Sequence, residues 1–270
     1  LIQKLNRDFI YYLNEAQVVG MMYNDNILKL GEVIGKRHIN KYIKDPELRR
    51  KLTPTFKLGC KRVLLSNNYY QALAQPNLEL VTDGIQKFTK ESVVTNDGKS
   101  RKIDAVILGT GFHVADSFQY YNVTGKNGVQ LKDVLHDAPE AYYGTSVHQF
   151  PNLFIMLGPN TGLGHNSMIY MIESQTNYIL DAVQKMMQQN IKSIDVKKEV
   201  QTKFNEEIQK KLVGTIWLSG CKSWYLSADG KNHTVWPGFT LEFRNRTKNI
   251  NLNDYNLEKI SVKKEEAELV

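Results

Sequence analysis

The sequence predicts an α/β protein. Three observations carry that expectation. Stretches with helical spacing of apolar residues open the chain and return after residue 167. Between them, short β-type runs are separated by turn residues. One almost wholly apolar run, Leu153 to Leu157, leads into a glycine-rich loop and then a periodic helix, the order found in open α/β sheets.

Leu5, Phe9, Tyr12, Leu13 and Ala16 recur at helical spacing and predict a helix with one apolar face. Ile27, Leu30 and Ile34 continue the pattern, weakened by Gly31 and Gly35. Asp45-Pro46-Glu47-Leu48 reads as a helix start, with Asp as the cap, Pro in the first turn and Glu complementing the dipole; Pro54 ends that region. Val63–Leu65, Leu78–Val81, Ser92–Thr95 and Ala105–Leu108 read as strands, with Asn96-Asp97-Gly98 as a hairpin turn. Leu153–Leu157 reads as a strand buried on both faces, as in a parallel sheet. A helix is expected from about Met168 to Gln189, with Ile172, Tyr178, Ile179 and Val183 on its buried side. A strand at 191–196 and a helix carrying Val200, Phe204, Ile208 and Leu212 follow, and the tail 263–270 is expected to fray.

The 270 residues are 41% hydrophobic and 23% charged, enough to bury a core. No apolar run approaches the roughly 18 residues of a membrane span, and LIQKLNRDFI is not a signal peptide. A cytoplasmic protein is expected. Lys and Arg exceed Asp and Glu by 35 to 28, a net charge of +7. A solvated basic surface explains this most simply, a cofactor phosphate next and nucleic acid last. The nearest approach to a basic patch is Arg244-Asn245-Arg246-Thr247-Lys248. Cys60 and Cys221 form no zinc motif; one disulfide is arithmetically possible, but reduced thiols are expected. His113, His148 and His165 lack metal-ligand spacing, so no metal is expected.

Three segments could carry chemistry. In Gly158-Pro159-Asn160-Thr161-Gly162-Leu163-Gly164-His165-Asn166-Ser167, glycines and a helix N-terminus suit an anion or an electron-rich ring edge. The loop is neither a Walker A motif nor a Gly-x-Gly-x-x-Gly fingerprint, and a tight connection without ligand explains it equally well. Asp104-Ala105-Val106-Ile107-Leu108-Gly109-Thr110-Gly111-Phe112 is a strand ending in Gly-Thr-Gly, where ligands sit in open sheets or where the chain simply turns. Gly59-Cys60-Lys61-Arg62 places two cations at a strand start, as surface charge or as a site for phosphate or a developing oxyanion.

Taken together, these strings resemble a known family. Phe150-Pro151-Asn152-Leu153-Phe154 through Gly158-Pro159-Asn160, and the Gly-Thr-Gly strand, resemble motifs of the FAD domain in Baeyer–Villiger-type (class B) flavoprotein monooxygenases, relatives of the flavin-containing monooxygenases. Asp45-Pro46-Glu47-Leu48, Leu52-Thr53-Pro54 and Leu58 to Arg62, followed by Asn68-Tyr69-Tyr70, are similar to the approach to the family's catalytic arginine. Cys221-Lys222-Ser223-Trp224-Tyr225 resembles its cofactor-side tryptophan motif.

The resemblance implies the C-terminal part of a two-dinucleotide-binding-domain, Rossmann-like FAD/NADP flavoprotein with a helical insertion. It divides the chain into the insertion (1–58), the returning part of the NADP-binding domain (59–103) and the returning part of the FAD-binding domain (104–270). It implies that FAD, reduced by NADPH, reacts with O2 to a C4a-peroxyflavin that inserts one oxygen next to a ketone or aldehyde carbonyl. Arg62 corresponds to the catalytic arginine. Lys61 and Trp224 would face NADP(H). Gly109, Thr110 and Gly111 would lie against the flavin, and Asn160, Thr161, Gly162, Leu163, Gly164, His165 and Asn166 would wrap it. The helix after Ser167 would direct its N-terminus at the flavin. Both Gly-x-Gly-x-x-Gly loops of the family are absent, and the chain opens on Leu1 rather than Met. The expectation is therefore a chain lacking an N-terminal half, inactive in isolation and prone to self-association through uncovered strand edges. Oxygenation of nitrogen or sulfur, and a non-catalytic fragment, remain open alternatives.

Overall fold

Helix starts and tight turns follow the local sequence closely. The computed structural model describes residues 1–111, 117–227 and 229–261. Phe112, His113 and the tail 263–270 lie outside the described residues. Helix α1 spans Ile2–Met22, α2 Leu28–Tyr42, α3 Pro46–Leu52 and α4 Tyr69–Leu73. Strands β1 (Ile85–Phe88), β2 (Ser92–Thr95) and β3 (Ser100–Lys102) come next, then the single-turn helix α5 (Leu131–Val134). Helix α6 (Met168–Gln188), β4 (Ile191–Val196), α7 (Lys198–Leu212), α8 (Thr240–Arg246) and β5 (Tyr255–Lys259) complete the order. The fold is mixed α/β. Among the described residues no helix is long and apolar enough to cross a membrane.

The chain divides into two units. The first takes in Leu1–Leu28, Leu58–Val63 and Val114–Val270; the second takes in Lys29–Lys57 and Leu64–His113.

In the second unit, Asp45 caps α3 by accepting from the Glu47 and Leu48 amides at 3.3 and 2.9 Å, as its sequence predicts. Gly31 and Gly35 lie inside α2, which forms despite them. A small core gathers Ile39, Ile43 and Leu73 with Leu48, Leu52 and Tyr70. Strands β1, β2 and β3 form an antiparallel sheet in that order. The predicted hairpin joins β2 to β3, with Gly98 at φ +81°, a conformation a side chain disfavours.

In the first unit, β4 pairs antiparallel with β5, Val196 opposite Tyr255. Trp217, Trp236, Tyr178, Phe243, Ile208 and Leu212 fill the main core. Helix α6 buries Met171, Gln175, Tyr178 and Ala182, spaced to form one stripe. The predicted stripe is thus shifted: Ile172 and Ile179 are only half-buried and Val183 is exposed. Gln175 explains the shift. Its amide donates to the carbonyls of Tyr143 and Gly144 and to Thr145 Oγ1, and its oxygen accepts from the Leu157 amide at 2.9 Å. A fully partnered amide can be buried, and apolar periodicity does not register it.

Several predicted strands do not form. Val63–Leu65, Leu78–Val81, Ala105–Leu108 and Leu153–Leu157 belong to no ladder. A run of apolar residues supplies a surface, but a strand also needs a neighbour for its amides and carbonyls. Leu64, Leu65 and Ile107 are largely exposed, whereas Leu153 and Ile155 pack on a small core of Leu131, Leu135, Ala141, Val147 and Phe150. The expected parallel sheet is absent among the described residues; both sheets are antiparallel, and one isolated parallel bridge joins Gly162 to Val235. On α1 the predicted apolar residues Leu5, Phe9, Tyr12 and Leu13 are exposed, and the buried positions are Glu15, Val18, Gly20 and Met21.

Candidate functional site

The glycine-rich loop 158–167 sits in the first unit, between the partly exposed segment 153–157 and the N-terminus of α6. Its glycines let backbone approach backbone. A Cβ on Gly162 would lie 2.7 Å from the Thr234 carbonyl, and one on Gly144 would lie 2.6 Å from that of Pro159. Gly162 donates to Thr234 O and accepts from the Trp236 amide, both at 2.8 Å. Asn160, at φ +54°, donates its side-chain amide to the carbonyls of Asn232 and Val235. Thr161 donates to Gly158 O at 2.6 Å. The loop's first half is therefore pinned to the 232–236 segment, with Asn160 and Thr161 buried.

The second half is pinned to α1. Glu15 accepts from Asn166 Nδ2 at 2.6 Å, from the Thr240 amide at 3.0 Å and from the Thr240 hydroxyl at 2.7 Å. His165 Nε2 stands 3.5 Å from the same carboxylate. Burial pushes the Glu15 carboxyl up, but donation from His165, Thr240 and Asn166 outweighs it and holds the group below the usual range. A buried, ionised carboxylate thus lies directly beneath the loop.

Arg62 reaches the loop from the short segment Leu58–Val63. Its Nη1 donates to Leu163 O at 3.5 Å. Tyr225 lies near the guanidinium. Burial pushes its phenol up, and the nearby Arg62 charge works in the opposite direction. Trp224 packs its ring 4.5 Å from that of Tyr225 and remains half exposed. Lys61 is exposed beside Arg62.

The two cysteines form a disulfide, Cys60 to Cys221, with Cα atoms 6.3 Å apart. This corrects the expectation of reduced thiols: spacing in sequence gave no sign that positions 161 apart would meet. The structure thus gathers Arg62, Lys61, residues 160–166 and Trp224 in one unit. Gly109, Thr110 and Gly111 belong to the second unit, exposed, with open space where a Cβ on Gly109 or Gly111 would point.

The sequence singles out neither Glu15 nor a role for Tyr225, and offers the disulfide only as an arithmetical possibility. Glu15 carried a faint signal, falling on the stripe Tyr11-Glu15-Val18-Met22 rather than on the apolar face. The Arg244–Lys248 patch is corrected. Arg244 bonds Glu173 and Ser174 and lies 3.6 Å over the Tyr170 ring, while Arg246 makes two hydrogen bonds to Glu207. Both guanidiniums are paired with carboxylates and rings of the chain itself. Among the described residues no cluster of three or more His, Cys, Asp or Glu could hold a metal.

Buried polar atoms around this site that lack a hydrogen-bond partner include Asn160 Oδ1, His165 Nδ1, Trp217 Nε1 and the Tyr225 hydroxyl. Trp217 lies against the loop, its Nε1 3.5 Å from where a Gly164 Cβ would be. Unpartnered donors are costly when buried, so a polar group beside this loop fits the residues present.

No protein-family model matches the chain. It is 48% identical over 259 residues to a Baeyer–Villiger monooxygenase of Pseudomonas aeruginosa, covering 95% of this chain and 49% of that protein. It is 41% identical over 257 residues to one of Streptomyces coelicolor, covering 93% and 49%. Cyclohexanone monooxygenase from Rhodococcus sp. Phi1 bound to NADP+ superposes with a TM-score of 0.78 at 26% identity, over 89% of this chain and 47% of that one. A steroid monooxygenase bound to NADP shares the fold with a TM-score of 0.79 at 22% identity, over 89% and 47%. The chain is homologous over nearly its whole length to Baeyer–Villiger-type flavoprotein monooxygenases, and it spans about half the length of the curated relatives it matches.

Proposed function

We propose that this chain is the C-terminal part of an FAD- and NADPH-dependent monooxygenase that inserts one oxygen of O2 next to a ketone or aldehyde carbonyl. The observation that supports this most is the placement of Arg62. A cation from one segment contacts the backbone of the glycine-rich loop at Leu163 O, beside the unpartnered groups of His165, Trp217 and Tyr225.

FAD, once reduced by NADPH, supplies the chemistry that activates O2. The chain's residues supply placement and charge. The loop 160–166 and the N-terminus of α6 would hold the flavin ring, the helix end favouring negative charge at the ring edge. Lys61 and Trp224, both exposed, would bind the nicotinamide cofactor. Arg62 supplies a guanidinium, a planar cation with a fork of donors, beside the loop. It favours an anionic oxygen nucleophile over its protonated form and stabilises the charge that develops as the carbonyl is attacked.

The test is Arg62→Ala in the full-length enzyme, following NADPH oxidation and ester formation together. Ester formation is expected to fall at least about a hundredfold, the usual cost of removing one such electrostatic contact, while NADPH oxidation persists. Undiminished ester formation would overturn the assignment. A sulfide assayed beside a ketone distinguishes carbonyl from heteroatom oxygenation.

A further inference from the structure

We propose that Cys60 and Cys221 are a thiol–disulfide exchange site for a dithiol reductant, and that its redox state sets how firmly the Arg62 segment is held against the Trp224 segment. The first argument is position. Cys60 lies two residues before Arg62, and Cys221 lies three before Trp224, so the bond joins the stems of the two segments that carry those side chains. Leu58–Val63 is a six-residue excursion into the first unit, flanked on both sides by residues of the second. Beyond the disulfide, its anchors include Gly59 against Met21 and Ile216 and the long Arg62 contact to Leu163 O at 3.5 Å. The covalent bond is the strongest of these.

The second argument is access. Cys60 is fully buried, whereas Cys221 is half-buried and lines an open groove of about 380 Å³ with Leu218, Gly220, Lys222, Ser223 and Leu226. An incoming thiolate therefore meets Cys221 Sγ first, and Lys222 beside it favours the approach of an anion. Ser219 Oγ stands 3.4 Å from Cys60 Sγ, and its hydroxyl, which donates to Ile216 O at 2.6 Å, has only to turn to stabilise the departing thiolate.

The exchange balances in two steps. One thiolate of the reductant bonds to Cys221 Sγ, the Cys60–Cys221 bond breaks, and Cys60 leaves as a thiolate. The reductant's second thiolate then bonds to its own sulfur in the mixed disulfide, releasing Cys221. Two electrons pass to the cysteine pair, the reductant departs as a cyclic disulfide, and the two protons it lost are taken up by Cys60 and Cys221. The exchange itself stands apart from the function proposed above; only its effect on oxygenation rests on that reading.

The test uses the full-length protein equilibrated with oxidised or reduced dithiothreitol, then alkylated and peptide-mapped. A cross-linked Cys60–Cys221 peptide pair is expected in the oxidised sample and two alkylated cysteines in the reduced one. Amide exchange in 58–63 and 219–226 is expected to rise about fivefold or more on reduction, with α6 and β4 unchanged, as local opening would produce. The Cys60→Ser/Cys221→Ser variant should match the reduced protein under both conditions; if it does not fold, the wild-type comparison carries the same readout. No cross-linked peptide after oxidation, or equal exchange in both states, overturns the proposal. Altered exchange with unchanged ester formation would overturn the role given to Arg62 and leave the exchange site standing.

Discussion

Glu15 accepts a 2.6 Å hydrogen bond from Asn166, tying the first helix to the loop before α6 across 151 positions of sequence. The same carboxylate takes the amide and hydroxyl of Thr240 at the start of α8. One buried anion therefore fixes three separate stretches of chain. Replacing it by Ala leaves those donors without their acceptor. Glu15→Ala is expected to cost about 3 kcal/mol, read as a lower urea midpoint. A loss under about 1 kcal/mol would show that the cluster relaxes without it.

The same carboxylate sets a pH dependence. Its pKa in the folded chain lies below the ordinary value, so the unfolded chain binds the proton more readily. Its stabilisation is thus fully present above the unfolded value of about 4.3 and is lost as pH falls through the lower folded value. Acid titration of wild type against Glu15→Gln tests this. The variant should start less stable at neutral pH and lose less on acidification; parallel curves would refute it.

Local signals were legible where a few adjacent residues decide the outcome. Asp45-Pro46 sets its own helix start, and Asn96-Asp97-Gly98 sets its own turn. The loop before α6 was legible as a unit, because glycines and helical periodicity lie side by side. What failed was whatever depends on a distant partner. Val63–Leu65 and Ala105–Leu108 have strand composition, but pairing requires a neighbour that these residues do not encode. Cys60 and Cys221, or Glu15 and Asn166, carry no mark of each other. Arg244 and Arg246 illustrate the same point for charge: their basic appearance gave no hint of Glu173 and Glu207.

That lesson leads to a test on Arg246. Its guanidinium makes two bonds to Glu207, at 2.8 and 3.0 Å, with the rings of Tyr143, Phe204 and Trp236 within 6 Å. Burial works against its charge, but Glu207 and Tyr143 more than compensate and hold its pKa above the usual value. Arg246→Gln should destabilise the fold by about 1 kcal/mol, because Glu207, partly exposed, keeps Lys211 at 3.5 Å while the guanidinium's contacts with the three rings are lost. Its effect on the Michaelis constant for NADPH should be negligible. A selective rise in that constant with unchanged stability would restore this residue as an anion site.

Gly162 makes a sharper prediction about the loop. A Cβ there meets the Thr234 carbonyl at 2.7 Å, and that carbonyl already accepts the Gly162 amide. Neither backbone can yield without breaking the bridge to Val235 or the bond from the Trp236 amide. Gly162→Ala is expected to cost about 2 kcal/mol or more, as overpacking does, and to speed amide exchange at Trp236. Wild-type stability would mean the glycine is kept for something other than this backbone approach.

Tyr225 offers a test of how Arg62 is held. Its hydroxyl is buried, has no hydrogen-bond partner, and lies close enough for the Arg62 charge to act on the phenol. Burial raises the phenol's pKa overall, so it remains a neutral dipole at working pH beside a fixed cation. Tyr225→Phe removes that dipole and leaves the ring against Trp224. The fold should lose less than about 1 kcal/mol, since the removed hydroxyl has no partner to strand. In the full-length enzyme the rate of ester formation should fall about threefold or more, as removing a dipole beside the Arg62 charge would produce, with the ketone's Michaelis constant nearly unchanged. If Tyr225 instead serves packing alone, Phe preserves the rate. Measuring kcat and KM separately for Tyr225→Phe and Tyr225→Leu decides between them: a rate lost already in Phe assigns the hydroxyl, and a rate lost only in Leu assigns the ring.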